Sequence, residues 1–208
     1  MESASVAVGG HAAEEHHGPP EAHQSSRMDR QTMGILLFII SEVMLFGAFF
    51  ASYFFVRVVA NEGPWPPEPF ELPVAVAGMN TAILVSSSFT MHWALESIRT
   101  GNHRGLKMGL VSTLLLGMTF LFIQINEYVH VGFSARDDAF GSIFYGLTGL
   151  HGAHVFVGIM LLSIATLRAF RGHFGPDAKD HLGVEVPGIY WHFVDVMWII
   201  VFTTVYIL

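Results

Sequence analysis

Five apolar runs, each long enough to cross a bilayer, divide this chain of 208 residues. They cover about 31–59, 72–98, 106–128, 142–170 and 187–208. A membrane helix needs about 20 mainly apolar residues to cover roughly 30 Å of hydrocarbon. Lipid offers the backbone no hydrogen-bond partner, so such runs fold as helices or closed barrels. Runs of this length predict an all-α membrane protein, a bundle of five transmembrane helices.

Composition agrees, with 52% hydrophobic residues and only 13% charged. The chain has no Cys, which removes thiolate metal sites, iron–sulfur clusters, CxxCH haem attachment and disulfides. A net charge of −7 with no basic patch does not suggest a nucleic-acid partner. Residues 1–30 form a polar, His-rich stretch that includes His11, His16, His17 and His23, and they predict a disordered tail. Weak metal binding by those histidines ranks behind a solvated tail.

Orientation follows from the basic residues. Arg27, Arg30, Arg99, Arg104, Lys107, Arg168, Arg171 and Lys179 fall on one side, and Arg57 and Arg136 on the other. This bias predicts the N-terminus inside and the C-terminus outside. The Pro-rich loop ANEGPWPPEPFE after the first run ends one helix and spaces the next. Gly105 and Gly109 form a GxxxG, and Gly146, Gly149, Gly152 and Gly158 mark the fourth run; small residues let helix backbones approach closely in lipid.

Ionisable groups inside the runs are the candidate functional residues, because each costs about 2.5–3.5 kcal/mol on insertion scales. Glu42 lies about a dozen residues into the first run, near mid-membrane, with no basic residue nearby in sequence. It reads either as a proton-relay or regulatory carboxylate or as a hydrogen bond between helices. Three i, i+3 pairs follow: Glu127/His130, His151/His154 and His192/Asp195. Each shares a helix face. Together with Glu42 they invite a di-metal reading, since Glu-x-x-His recurs on facing helices of such bundles. Only one pair is a true Glu-x-x-His, and the predicted depths disagree, so hydrogen bonds between helices are the better reading and no metal site is expected. Because buried polar groups in lipid must find partners, Glu42 is expected to bond a histidine of the HGAH segment, with His154 as the candidate. His92 and Glu96 read as a pair at headgroup level. Arg168, Arg171 and His173 end the fourth run, where cations meet anionic headgroups.

These residues, in this order, resemble subunit III of the haem–copper terminal oxidases, the cytochrome c oxidase family. The resemblance rests on GILLFIISEVMLFGAFF around Glu42 and on WPPEPFELPVAVAGMNTAILVSSS across the first loop and second run. It continues through FIQINEYVH, GSIFYGLTGLHGAHVFVG and YWHFVDVMWIIVF, from Gly34 to the C-terminus. It implies a non-catalytic subunit that carries no haem or copper and packs against catalytic subunit I, with electron-entry subunit II and a small subunit IV as further partners. The haems and copper are expected in those partners, with structural phospholipid bound here. The implied setting is a bacterial plasma membrane, and the implied role is support of proton uptake and sustained turnover.

Residue by residue, the resemblance places Glu42 on the family's intramembrane carboxylate. His151, His154, His192 and Asp195 fall on its polar motifs, and Arg168 and His173 on positions associated with a phospholipid headgroup. The familiar form has two further helices ahead of the Glu42 helix, where this sequence has the His-rich stretch, so the chain is similar to a five-helix bacterial form. A quinol oxidase subunit III, an accessory protein of nitric oxide reductase and a stand-alone proton channel are the alternative functions.

Overall fold

The computed structural model describes residues 30–60, 63–67, 72–174 and 181–208. The predicted tail before Arg30 lies outside them. The described residues form α1 (Arg30–Phe55), α2 (Val74–Arg99), α3 (His103–His130), α4 (Ala139–Phe170) and α5 (Leu182–Phe202). Short π-helical turns extend α1 through Val56–Ala60 and α5 through Thr203–Ile207. All five helices are long and apolar enough to cross a membrane, and no strand occurs among the described residues.

Helix ends follow local chemistry. α2 and α4 both stop in a Schellman motif, built on Gly101 and Gly172 with φ of 74° at each. The Asn102 N–H reaches Ser97 O and the His173 N–H reaches Arg168 O, which satisfies carbonyls that the helices leave open. Asn102 then caps α3 by accepting from Gly105 N–H at 3.0 Å. α5 opens at Leu182, one turn ahead of the Pro187 that heads its apolar run. Pro187 sits early in the helix, and residues 182–186 before it, with Glu185 among them, continue the same spiral.

Short connections make neighbouring helices antiparallel. At one end Gln31, Arg168 and Gly183 line a common cleft, and Arg99 pairs with Glu185 at 3.0 Å. At the other end Tyr53 donates to Thr204 O at 2.8 Å, and Trp65 from the Pro-rich loop donates to Tyr53 Oη at 2.9 Å. Trp65 also stacks edge-on against Phe140 with centroids 5.0 Å apart. The WPP segment thereby closes that end of the bundle.

The core is organised by small residues meeting large ones. A Cβ on Gly109 would lie 2.8 Å from Ala94 Cβ, so α2 and α3 approach more closely than any larger residue allows. The Trp191 ring fills the notch left by Gly117 on α3 and Gly158 on α4, where added Cβ atoms would lie 2.6 and 2.7 Å from ring carbons. Lipid tails give helices no hydrophobic reason to associate, so this interlocking supplies much of the cohesion.

Hydroxyls supply the rest in a repeated pattern. Ser87 donates to Leu84 O and accepts from Trp191 Nε1 at 2.9 Å. Thr81 donates to Ala77 O and accepts from Trp198 Nε1 at 2.9 Å. Thr148 donates to Phe144 O and accepts from Tyr128 Oη at 2.9 Å. Each hydroxyl satisfies its proton within its own helix and offers its oxygen to an aromatic donor on another. By contrast, α1 buries only Phe46 and Tyr53 and is lightly held.

Candidate functional site

The ionisable groups fall into separate contacts rather than one centre. On the α1–α4 interface, Glu42 Oε2 lies 2.8 Å from His154 Nε2. The other ring nitrogen, Nδ1, is 2.7 Å from Leu150 O one turn back. A carbonyl can only accept, so Nδ1 carries a hydrogen and donates it. A single proton is therefore shared between Glu42 and His154 Nε2. Either the acid donates to a neutral imidazole or the imidazolium donates to a carboxylate. Phe46 covers one face of the imidazole at 5.0 Å, and the Tyr190 hydroxyl donates to the His154 carbonyl at 3.2 Å. The partner expected for Glu42 is the one the structure places there.

His151 is three residues away on the same helix and has another environment. It is fully buried, 4.7 Å from the Trp198 ring and 5.7 Å from Phe120. Neither of its ring nitrogens has a partner among the described residues. For this residue the expected polar contact between helices is absent, because three residues of helix turn the side chain about 60° away from α1 and into the aromatic core.

His192 and Asp195 converge on Ser88 of α2. The Ser88 hydroxyl donates to Asp195 Oδ2, and its oxygen lies 3.1 Å from His192 Nδ1. With the hydroxyl proton engaged, Nδ1 is the donor. The result is a chain from His192 through Ser88 to Asp195, with the second Asp195 oxygen buried and unpartnered among the described residues. Glu127 is buried near the opposite end, where Oε1 accepts from Tyr206 at 2.6 Å and Oε2 has no described partner. His130 is exposed and turns Nδ1 to its own Asn126 O at 2.8 Å, so Glu127 and His130 do not act together. His92 and Glu96 are both exposed.

Among the described residues, no three His, Cys, Asp or Glu side chains come close enough to hold a metal ion. Arg168 lines a cleft of about 200 Å³ with Gln31, Ile164, Leu182 and Gly183, and its guanidinium lies 5.4 Å from the Phe174 ring. His173 is exposed beyond that cleft, and its backbone N–H closes the end of α4.

Sequence reasoning missed Ser88, Tyr206, and the buried amides Asn80 and Gln124. The run of Ser86, Ser87 and Ser88 in an apolar span was the available signal for the first.

The sequence is similar to known proteins of one family. The family model for cytochrome c oxidase subunit III matches residues 15–208. The chain is 42% identical over 187 residues to cytochrome c oxidase subunit 3 of Thermostichus vulcanus, covering 89% of this chain and 91% of that one. It is 40% identical over 191 residues to the probable cytochrome c oxidase subunit 3 of Rickettsia conorii, covering 84% of this chain and 66% of that one. For the subunit 3 of Drosophila yakuba the values are 38% over 182 residues, 83% and 67%. The chain thus spans most of one relative and about two thirds of the others. With five membrane-length helices and a match over nearly its whole length, the chain belongs to the cytochrome c oxidase subunit III family.

Proposed function

We propose that this chain is the non-catalytic subunit III of a proton-translocating oxygen reductase, in which the Glu42–His154 pair sustains proton supply during turnover. The proposed setting is a bacterial plasma membrane, with the Arg-rich end of the bundle facing the cytoplasm. Subunits I, II and a small subunit IV are the proposed partners, and cytochrome c the proposed donor. Haem and copper belong to the partners in this reading. Among the described residues, His154, His192 and His130 turn ring nitrogens to Glu42, to Ser88 or to a backbone carbonyl, His151 is walled in by aromatic rings, and no three metal-ligating side chains come together, so this donor set does not fit either group.

The observation that carries the reading is the shared proton at mid-span. A carboxyl and an imidazole joined by one hydrogen can take up or release a proton with little movement, and both side chains are less than one fifth exposed. They join α1, the least buried helix, to α4 in the core. The proton state at Glu42 therefore bears on how α1 is held. The cleft beside Arg168 is the proposed seat of a structural phospholipid headgroup, with Gly183 leaving room at its wall.

Replacing Glu42 separates the proton from the bond. In Glu42→Gln the amide still donates to His154 Nε2 but cannot exchange a proton, while Glu42→Ala removes both. Both variants are expected to start oxygen uptake at near the normal rate and to lose activity sooner over repeated turnover. An assembled Glu42→Gln complex with an unchanged working life would overturn the role. Proton flux through the isolated chain in liposomes would favour a stand-alone channel instead.

A further inference from the structure

The α3–α4 surface carries a long groove that no part of the reading above uses. At its Arg-rich end, Arg104, Lys107, Met108, Val111, Ser112 and Phe170 line a cleft of about 410 Å³. Farther along the same two helices, Met118, Leu121, Phe122, Ile125, Phe156 and Ile159 line a second cleft of about 300 Å³. Between them Leu115 on α3 and Met160 and Leu167 on α4 are exposed apolar side chains. This groove and the Arg168 cleft have no lining residue in common.

The two ends differ in chemistry. Arg104 and Lys107 have no ion-pair partner among the described residues, and Lys107 Nζ sits 5.4 Å from the Phe170 ring centroid. No carboxylate lines the mouth. At about 1.5 Å per residue, Lys107 to Met118 covers about 16 Å, close to half of a roughly 30 Å hydrocarbon core. The groove therefore offers two cations at headgroup depth and an apolar trough one leaflet long.

We infer that the α3–α4 groove holds an anionic phospholipid, with its phosphate between Arg104 and Lys107 and an acyl chain lying along Val111, Leu115 and Met118. Two cations with no carboxylate favour a headgroup with net negative charge. A zwitterionic lipid would bring an ammonium group to a mouth that has nothing to receive it. The inference does not depend on the lipid proposed at Arg168.

The test uses the intact complex, extracted in mild detergent and placed in nanodiscs of equal phosphatidylglycerol and phosphatidylethanolamine. Each lipid in turn carries a photoreactive group on one acyl chain, and labelled peptides are mapped by mass spectrometry. Phosphatidylglycerol is expected to label residues 108–122, together with Phe156 and Ile159, preferentially. Each cation near a membrane surface contributes about fivefold to anionic-lipid attraction, so Arg104→Gln with Lys107→Gln is expected to lower the preference about 25-fold. Arg168→Gln is expected to leave labelling of the α3–α4 groove unchanged.

Equal labelling by both lipids, or no labelling of the groove in the unmodified complex, overturns the proposal. So does a preference that survives the double substitution. The unmodified complex decides the question even if the double variant fails to assemble.

Discussion

Trp191 of α5 donates its indole N–H to Ser87 of α2 at 2.9 Å while its ring fills the notch between Gly117 and Gly158. One side chain thus ties four of the five helices together. Its polar tip and its apolar body are held by different means, and the two can be tested separately.

Gly158→Leu places a side chain where a Cβ alone would meet the Trp191 ring at 2.7 Å. Overpacking of this kind costs about 1–3 kcal/mol, and a rigid indole leaves little room to relax. A clear fall in the thermal midpoint of the detergent-solubilised protein is expected. Ser87→Ala removes only the acceptor, and hydrogen bonds between membrane helices average about 0.6 kcal/mol. Its melting shift is expected to be several times smaller. Equal shifts for the two would show that the notch is not tightly packed.

Tyr206 supplies the hydrogen bond found for Glu127. Tyr206→Phe leaves that carboxyl buried with neither oxygen partnered, at a cost of about 1–3 kcal/mol. Glu127→Gln keeps an acceptor for the tyrosine and should cost less. Calorimetry of both variants in the same detergent checks the order, and a reversed order would contradict the contact.

Ser88 is the hinge of the His192–Ser88–Asp195 chain. Ser88→Ala cuts it and strips Asp195 of its one described hydrogen bond, so destabilisation of about 1–3 kcal/mol is expected. Ser88→Thr keeps the hydroxyl and should restore most of the loss. A failure of threonine to rescue, with the fold intact by circular dichroism, would place the cost in packing instead.

Trp65 closes the loop end of the bundle through Tyr53 and Phe140. Trp65→Ala is expected to speed amide exchange in residues 53–60 and 203–208 while leaving the α2–α3 contact protected. Uniform loss of protection would mean that the loop holds the whole fold rather than one end.

Much of this was legible in the sequence. Hydropathy runs locate the helices because lipid requires each span to satisfy its own backbone. The same requirement pointed Glu42 to His154. The i, i+3 rule was less informative: it places His151 and His154 on one side of α4 but cannot say which helix each meets. In a five-helix bundle the 60° between them separates α1 from the aromatic core. Ser88 and Tyr206 were hidden for a related reason, since their roles depend on how far α2 and α5 rotate against their neighbours. Local hydropathy carries no such information.

The most direct test is to purify the affinity-tagged chain from its native membranes in mild detergent and record a reduced-minus-oxidised spectrum with metal analysis. The account predicts haem and copper signals that copurify with the chain and disappear when harsher detergent isolates it. A chain that purifies alone without haem, while still folded, would contradict it.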